Sequence, residues 1–453
     1  MKFRVEQDSL GELLVPVQAM YGAQTQRAVQ NFAISGQRMP AEFIQALALI
    51  KAASANANGA LGNLSKAQSK AIEQAALEIV KGSYLDQFPV DVYQTGSGTS
   101  SNMNVNEVIA HIVNAKKKVV VNPNNHVNFG QSSNDVIPST SLLAASLALQ
   151  QRLLPELKGL QVIINRKAKQ LKRHIKTGRT HLMDAMPISM EQELLAWSAQ
   201  LNSAQARFND CAKRLHELPL GGTAVGTGVN ADPKMTVLAC RYLSKFTRIA
   251  IKPARNKFES IAAQDHLVEL SGHCNSLAVC LMKISNDLRW MNSGPLTGLA
   301  EIALPVLQPG SSIMPGKINP VIPEAVAMVC TQVMGNHASI SIAGQSGNFQ
   351  LNTMMPLIAN NSLQNLNLLA QACKHLGEKA VAGFIVNSQT LNHALARNPI
   401  LVTALNPIIG YAKATLIAKR AYAENRPIIE MVKEMTDLSL AEIKALLDPK
   451  TLI

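Results

Sequence analysis

The apolar positions of this chain recur mostly at spacings of three and four, the period of one helix face. Such patterns run over residues 41–61, 66–81, roughly 138–173 and 190–216, and another helix follows the polar stretch 95–104. The clearest covers 257–292. There Leu267, Leu270, Cys274, Leu277, Leu281, Ile284, Leu288 and Met291 form an unbroken stripe. At about 1.5 Å per residue this predicts a helix roughly 54 Å long, which needs long neighbours to cover it. Asn256 with Glu259 resembles a capping box at its start, and Gly294-Pro295 ends it. Residues 1–40 read as an ordered arm. From about 389 the helices become short and charged, and Ser439 with Glu442 is a second capping box. The pattern predicts a mainly all-α chain.

One stretch breaks the usual apolar-in, charged-out rule. Residues 325–373 hold no Asp, Glu, Lys or Arg in 49 positions, yet are rich in Asn, Gln and Ser. A solvated helix normally carries charge. The stretch therefore predicts burial on several sides, against its own subunit and others, and hence an oligomer.

Composition narrows the classes. Apolar residues make up 47 % and aromatics only 4 %, which favours helix-on-helix packing. The net charge of +13 is spread along the chain apart from Lys116-Lys117-Lys118, and no nucleic-acid motif accompanies that triple. A pull on small anions is what remains. The six cysteines form no CxxC pair and sit mostly in apolar helical runs, as small buried hydrophobes of a reducing compartment do. Neither a signal peptide nor a membrane span is expected, so the expected location is cytoplasmic.

The candidate chemistry lies in polar segments between helices. Residues 309–324, PGSSIMPGKINPVIPE, hold four prolines and two glycines and read as a shaped loop. Its resemblance to a phosphate loop fails: five residues separate the glycines, and Ile318 follows Lys317 where Ser or Thr is needed. Neither a metal motif nor a hydrolase triad is indicated. Across the segments Ser97, Thr99, Ser132, Ser133, Asn134, Thr180, His181, Ser311, Lys317 and Asn319 offer donors, mostly on turns that precede helices. Such donors suit a small dicarboxylate. Taken singly, each is better read as a helix cap; it is the four segments together that favour a binding site.

At these residues the chain resembles the fumarase/aspartase superfamily. The carrying motifs are GSSIMPGKINP at 310–320, TGSGTSSNMNVNEV at 95–108, QSSND at 131–135, GRTHLMDA at 178–185 and GGTAVGTG at 221–228. They span essentially the whole chain. Within the superfamily, TGSGT at 95–99, Ser132-Ser133, Gly222, GNFQLN at 347–352 and LVTALNPIIGY at 401–411 are similar to the class II fumarases. The resemblance implies a three-domain subunit, with an N-terminal mixed, mainly helical domain at 1–133, a central long-helix bundle at 134–388 and a small helical domain at 389–453. It further implies a homotetramer with a helical core, whose active sites each draw on three subunits.

The implied reaction is reversible anti addition of water to fumarate, giving (S)-malate, with no metal or cofactor. Ser311 would be the base and His181 the acid, acting through a water, with Glu324 orienting it and Lys317 supporting charge. Ser97, Gly98, Thr99, Ser132, Ser133, Asn134, Thr180, Ser312, Lys317, Ile318 and Asn319 would bind substrate. A second dicarboxylate site would use Asn122, Pro123, Asn124 and Asn125, although the family's usual histidine and first aspartate of that segment are Asn122 and Asn125 here. Asn122 and His126 lean towards the aspartase form, which keeps aspartate ammonia-lyase as the alternative. A non-catalytic, crystallin-like protein would be expected to lack Ser311, Lys317, His181 and Glu324, and all four are present.

Overall fold

The structure, a computed structural model, describes residues 2–453. Seventeen α-helices carry the described chain, and its strands pair only into two-stranded sheets, so the all-α reading holds. Two compact units emerge. One comprises Met1–Pro155, Gln205–Ala278 and Thr331–Ala370; the other comprises Glu156–Ala204, Val279–Cys330 and Gln371–Ile453.

In the first unit, the apolar run at 41–61 becomes the helix Ala41–Leu61, closed by Gly62 in the left-handed region. The next helix, Lys66–Val80, starts on a capping box of Ser65 and Gln68. The expected arm at the N-terminus is more regular than its composition suggested. Phe3–Asp8 and Gly11–Pro16 form an antiparallel hairpin, followed by the helix Ala23–Asn31. The buried Glu107 carboxylate accepts the Gly22, Gln24 and Thr25 N–H groups, which otherwise lack partners at that helix start.

The helix expected over 138–173 starts earlier, at Ser133. It runs to Ala148, passes through a π-turn at Leu149–Leu153 and resumes as Leu154–Gln170. Pro138 lies inside the helix rather than before it. Ser139, Thr140 and Ser141 return their hydroxyls to the carbonyls four residues back, as helix-interior hydroxyls do.

The long helix is shorter than its pattern. Lys257–Ala262 is a separate helix capped by the Asn256 side chain; Ala263 is extended, and a new helix runs Asp265–Met291. Its 27 residues make roughly 40 Å rather than 54. Neither glycine nor proline marks the break. All eight stripe positions are 2 % exposed or less, so the face itself is as expected.

The uncharged stretch behaves in two ways. In the helix Met355–Leu376 only Gln364 and Gln371 are exposed. The helix Val321–Gly344 instead presents Ala325, Met328, Gln332, Gly335, Ala338 and Ile342 along one exposed side. Met328 is 69 % exposed and Ile342 60 %. In the second unit, Leu395, Leu405, Ile417, Met431, Val432 and Ile443 belong to a C-terminal core built by the short helices after Ser388. Among the described residues, no helix is long and apolar enough to cross a membrane.

Candidate functional site

In the first unit, residues 95–99 form a tight turn onto the helix Thr99–Ala115, with Gly98 at its cap in the left-handed region. The Gly98 N–H donates to Thr95 O at 2.7 Å. Gly96 is a required glycine: a Cβ there would stand 1.8 Å from the Thr353 carbonyl oxygen. Ser97 Oγ and Thr99 Oγ1 share a hydrogen bond of 3.0 Å, and Thr99 is exposed at the helix start. The Ser100 and Ser101 N–H groups of that first turn donate to Thr95 Oγ1 and Gln94 Oε1, so the two hydroxyls are the groups suited to a carboxylate.

The segment 131–135 starts the next helix in the same unit. Ser132 caps it, accepting from the Asn134 N–H, while Asp135 accepts from the Ser132 N–H at 2.9 Å. Asp135 is fully buried, and its other oxygen takes the Gly221 and Thr223 N–H groups at 2.7 and 3.0 Å. Burial nevertheless pushes its carboxyl above the ordinary range. Asn134 donates to Ala224 O at 2.8 Å, so the glycine-rich turn at 221–228 is fastened to this segment.

A polar network lies behind both segments. Asn128 Oδ1 accepts from Lys51 Nζ at 2.9 Å and from the Asn102 and Asn106 amides at 3.2 Å each. Asn102 also donates to Ser133 Oγ at 3.1 Å. Lys51 Nζ donates as well to Gln131 Oε1 at 3.0 Å. These supporting residues escape a motif reading. The one hint is a lysine inside the apolar run LALIKAASA, which reads as a solvated position until the helix is seen to be covered on that side.

In the second unit, residues 177–189 are not a simple turn before a helix. Ile175–Thr180 and Met183–Ser189 pair as an antiparallel hairpin, joined by His181 and Leu182. Both joining residues have positive φ, 56° and 61°, the primed-turn geometry that suits the twist of a two-residue hairpin. The backbone thus holds Thr180 and His181 out at an exposed tip. The first strand of the hairpin is anchored by the buried Glu301, which pairs with Lys176 near the base at 2.5 Å and with Arg179 near the tip at 2.7 Å.

The loop before the helix Val321–Gly344 also belongs to the second unit and closes on itself. The Gly310 N–H donates to Lys317 O at 2.9 Å, and the approach is so close that a Gly310 Cβ would meet that oxygen at 2.4 Å. Ser311 Oγ accepts the Ile313 and Met314 N–H groups at 3.2 and 2.9 Å. Lys317 Nζ donates to Asn319 Oδ1 at 2.6 Å, and Asn319 donates to Gly310 O at 2.6 Å. Lys317, Ile318, Asn319 and Glu324 line one cleft of about 650 Å³, together with Arg289 and Trp290. Ser311, Ser312, Thr180 and His181 are not part of that lining.

Asn122 begins the π-turn Pro123–Val127, its side chain accepting from the Asn124 and Asn125 N–H groups at 2.9 Å each. Asn122, Pro123 and Asn124 line a cleft of about 530 Å³ with Arg4, His111 and Glu107; Asn125 does not.

A family model described as Lyase matches residues 11–335, and one described as Fumarase C C-terminus matches residues 401–453. The chain is 58 % identical over 451 residues to a Xylella fastidiosa protein named fumarate hydratase class II, covering 100 % of this chain and 95 % of that relative. It is 44 % identical over 462 residues to a Thermus thermophilus protein of the same name, covering 100 % and 98 %. The crystal structure of class II fumarase from Schistosoma mansoni superposes with a TM-score of 0.96 at 36 % identity, covering 99 % of this chain and 98 % of that one.

Proposed function

The chain belongs to the class II fumarate hydratases, hydro-lyases of the lyase family, and from that premise we propose how its residues carry the reversible addition of water to fumarate. In the malate-to-fumarate direction Ser311 Oγ takes the proton from the carbon next to a carboxylate. The observation that carries this role is that Ser311 Oγ accepts two backbone N–H groups, which favour its deprotonated form.

Removal of that proton pushes charge onto the neighbouring carboxylate. Fixed donors must meet it as it develops. Lys317 and Asn319, already linked, serve on the loop side, and Ser97, Gly98 and Thr99 at the helix start. Ser132, Ser133, Asn134, Thr180, Ser312 and Ile318 complete the substrate contacts. The carbon–oxygen bond then breaks, and the hydroxyl leaves as water on a proton supplied by His181 through a water. Glu324 supports the charged imidazole. Hydration is redox-neutral, so the reaction draws on no electron carrier.

The same proposal has a homotetramer with each site drawn from three subunits, a three-part chain at 1–133, 134–388 and 389–453, and a role in the tricarboxylic acid cycle of the cytoplasm. The uncharged exposed side of Val321–Gly344 supports association, because a solvated helix face normally carries charge. The segment 122–125 is the proposed second dicarboxylate site, supported by the cleft it lines beside Arg4 and His111.

Hydration of fumarate in deuterium oxide tests the reaction. Anti addition gives a single malate diastereomer carrying deuterium at carbon 3, read by proton coupling. The diastereomer of syn addition, a mixture of the two, or no malate would overturn the reading.

A further inference from the structure

Three metal-binding groups in the first unit have no part in the hydration chemistry. Cys211 lies on the helix Met190–Leu215, and Glu269 and His273 lie on Asp265–Met291. Each offers one ligand atom, and these atoms all lie within 4.8 Å of one another. Glu269 and His273 are four residues apart, so their side chains leave the same helix face. We propose that Cys211, Glu269 and His273 form a site for a zinc-class divalent cation that clips these two helices together.

The geometry is close to that required. Zinc bonds of about 2.3 Å to sulfur and about 2.0–2.2 Å to nitrogen and oxygen place tetrahedral ligand atoms about 3.3–3.6 Å apart. His273 Nε2 is already 3.6 Å from Glu269 Oε1. The His273 ring is braced edge-on by Phe208, with centroids 6.1 Å apart. The mixture of thiolate, imidazole and carboxylate suits a borderline-soft ion such as zinc or cobalt(II). Cys211 is buried, while Glu269 and His273 side chains are 31 % and 23 % exposed, which gives the ion a path in.

Arg214 is the competing partner. It donates to both Glu269 oxygens, at 2.7 and 2.5 Å. Each carboxylate oxygen has a second lone pair, so Arg214 can stay and orient Glu269 while the ion takes the free position. Arg214 also pairs with Asp210 at 2.9 Å, and Lys213 pairs with that same carboxylate at 3.1 Å. Binding at Cys211 displaces the thiol proton: the sulfur–hydrogen bond breaks, the sulfur–metal bond forms and the proton goes to solvent. Thiolate and carboxylate together then balance the double positive charge.

The test uses cobalt(II) added to the intact, chelator-treated enzyme. The expected result is about one cobalt per chain, a thiolate-to-cobalt charge-transfer band, release of about one proton per ion, and a raised melting temperature. Cys211→Ser should abolish the band, and His273→Gln should weaken binding by at least about tenfold. Cys274→Ser, which removes a buried thiol outside the cluster, should keep the band. Turnover should be unchanged throughout. Absence of a thiolate band in the wild type, or a band that survives Cys211→Ser, would overturn the site. His273 is half-buried, so its variant decides the matter if Cys211→Ser fails to fold: binding at wild-type strength there would equally overturn it.

Discussion

Replacing Lys51 with methionine removes the charge at the centre of the network behind Ser133 and Asn134. Lys51 is 0 % exposed, and burial brings its ammonium from the ordinary 10.5 down to about 7, against the pull of the Asp135 carboxylate. Its two acceptors, Asn128 Oδ1 and Gln131 Oε1, match the two hydrogens of a neutral amine. Between about pH 7 and about 10.5 the folded chain thus binds fewer protons than the unfolded chain, and stability rises with pH across that window. Below about 7 the contribution is lost. At about 1.4 kcal/mol per pKa unit, the gap is worth about 5 kcal/mol in all. Lys51→Met should erase this slope while leaving two acceptors short of a donor, a loss of about 1–3 kcal/mol that does not vary with pH. Urea unfolding of both proteins at matched concentration measures the difference. It should grow by about 1.4 kcal/mol per pH unit above about pH 7, because other titrating groups cancel. A difference that stays flat with pH would refute the neutral, buried amine.

Three further outcomes follow from the geometry. Ser311→Ala should lower kcat by at least about 100-fold while light scattering reports an unchanged assembly; near-normal turnover would remove Ser311 as the base. His181→Asn should reduce hydration by about 100-fold or more, with circular dichroism unchanged because the residue sits exposed at a hairpin tip; an unchanged rate would take it out of the mechanism. Gly96→Ala forces a methyl against the Thr353 carbonyl, so denaturation should show a loss of about 1–3 kcal/mol and kinetics a raised KM as Ser97 and Thr99 move; wild-type values in both would show that the close approach is not needed.

The sequence carried some of this structure more clearly than the rest. The 267–291 stripe was legible because burial enforces its period over eight positions. The break at Ala263 was not, since FESIAAQD holds neither glycine nor proline and keeps good helix formers. The hairpin at 175–189 was hidden too. Its turn uses His181 and Leu182 at positive φ, where asparagine and glycine are the usual signals. The helix that starts at Ser133 was placed five residues late, because its polar first turn, SNDVIP, shows no apolar period and holds Pro138. The loop at 309–324 was legible from its prolines and glycines, whereas the hydrogen bonds onto Ser311 depend on backbone placement that composition does not encode. Lys51 and Asp135 are ordinary charged letters in sequence; only the surrounding fold makes them buried partners of the segments they support.

As a fumarate hydratase, this chain moves water, and not ammonia, onto fumarate. The most direct measurement supplies purified enzyme with malate alone and then aspartate alone, and follows fumarate by its ultraviolet absorbance. Rapid fumarate formation is expected from malate and none above background from aspartate. Fumarate released from aspartate but not from malate would contradict it.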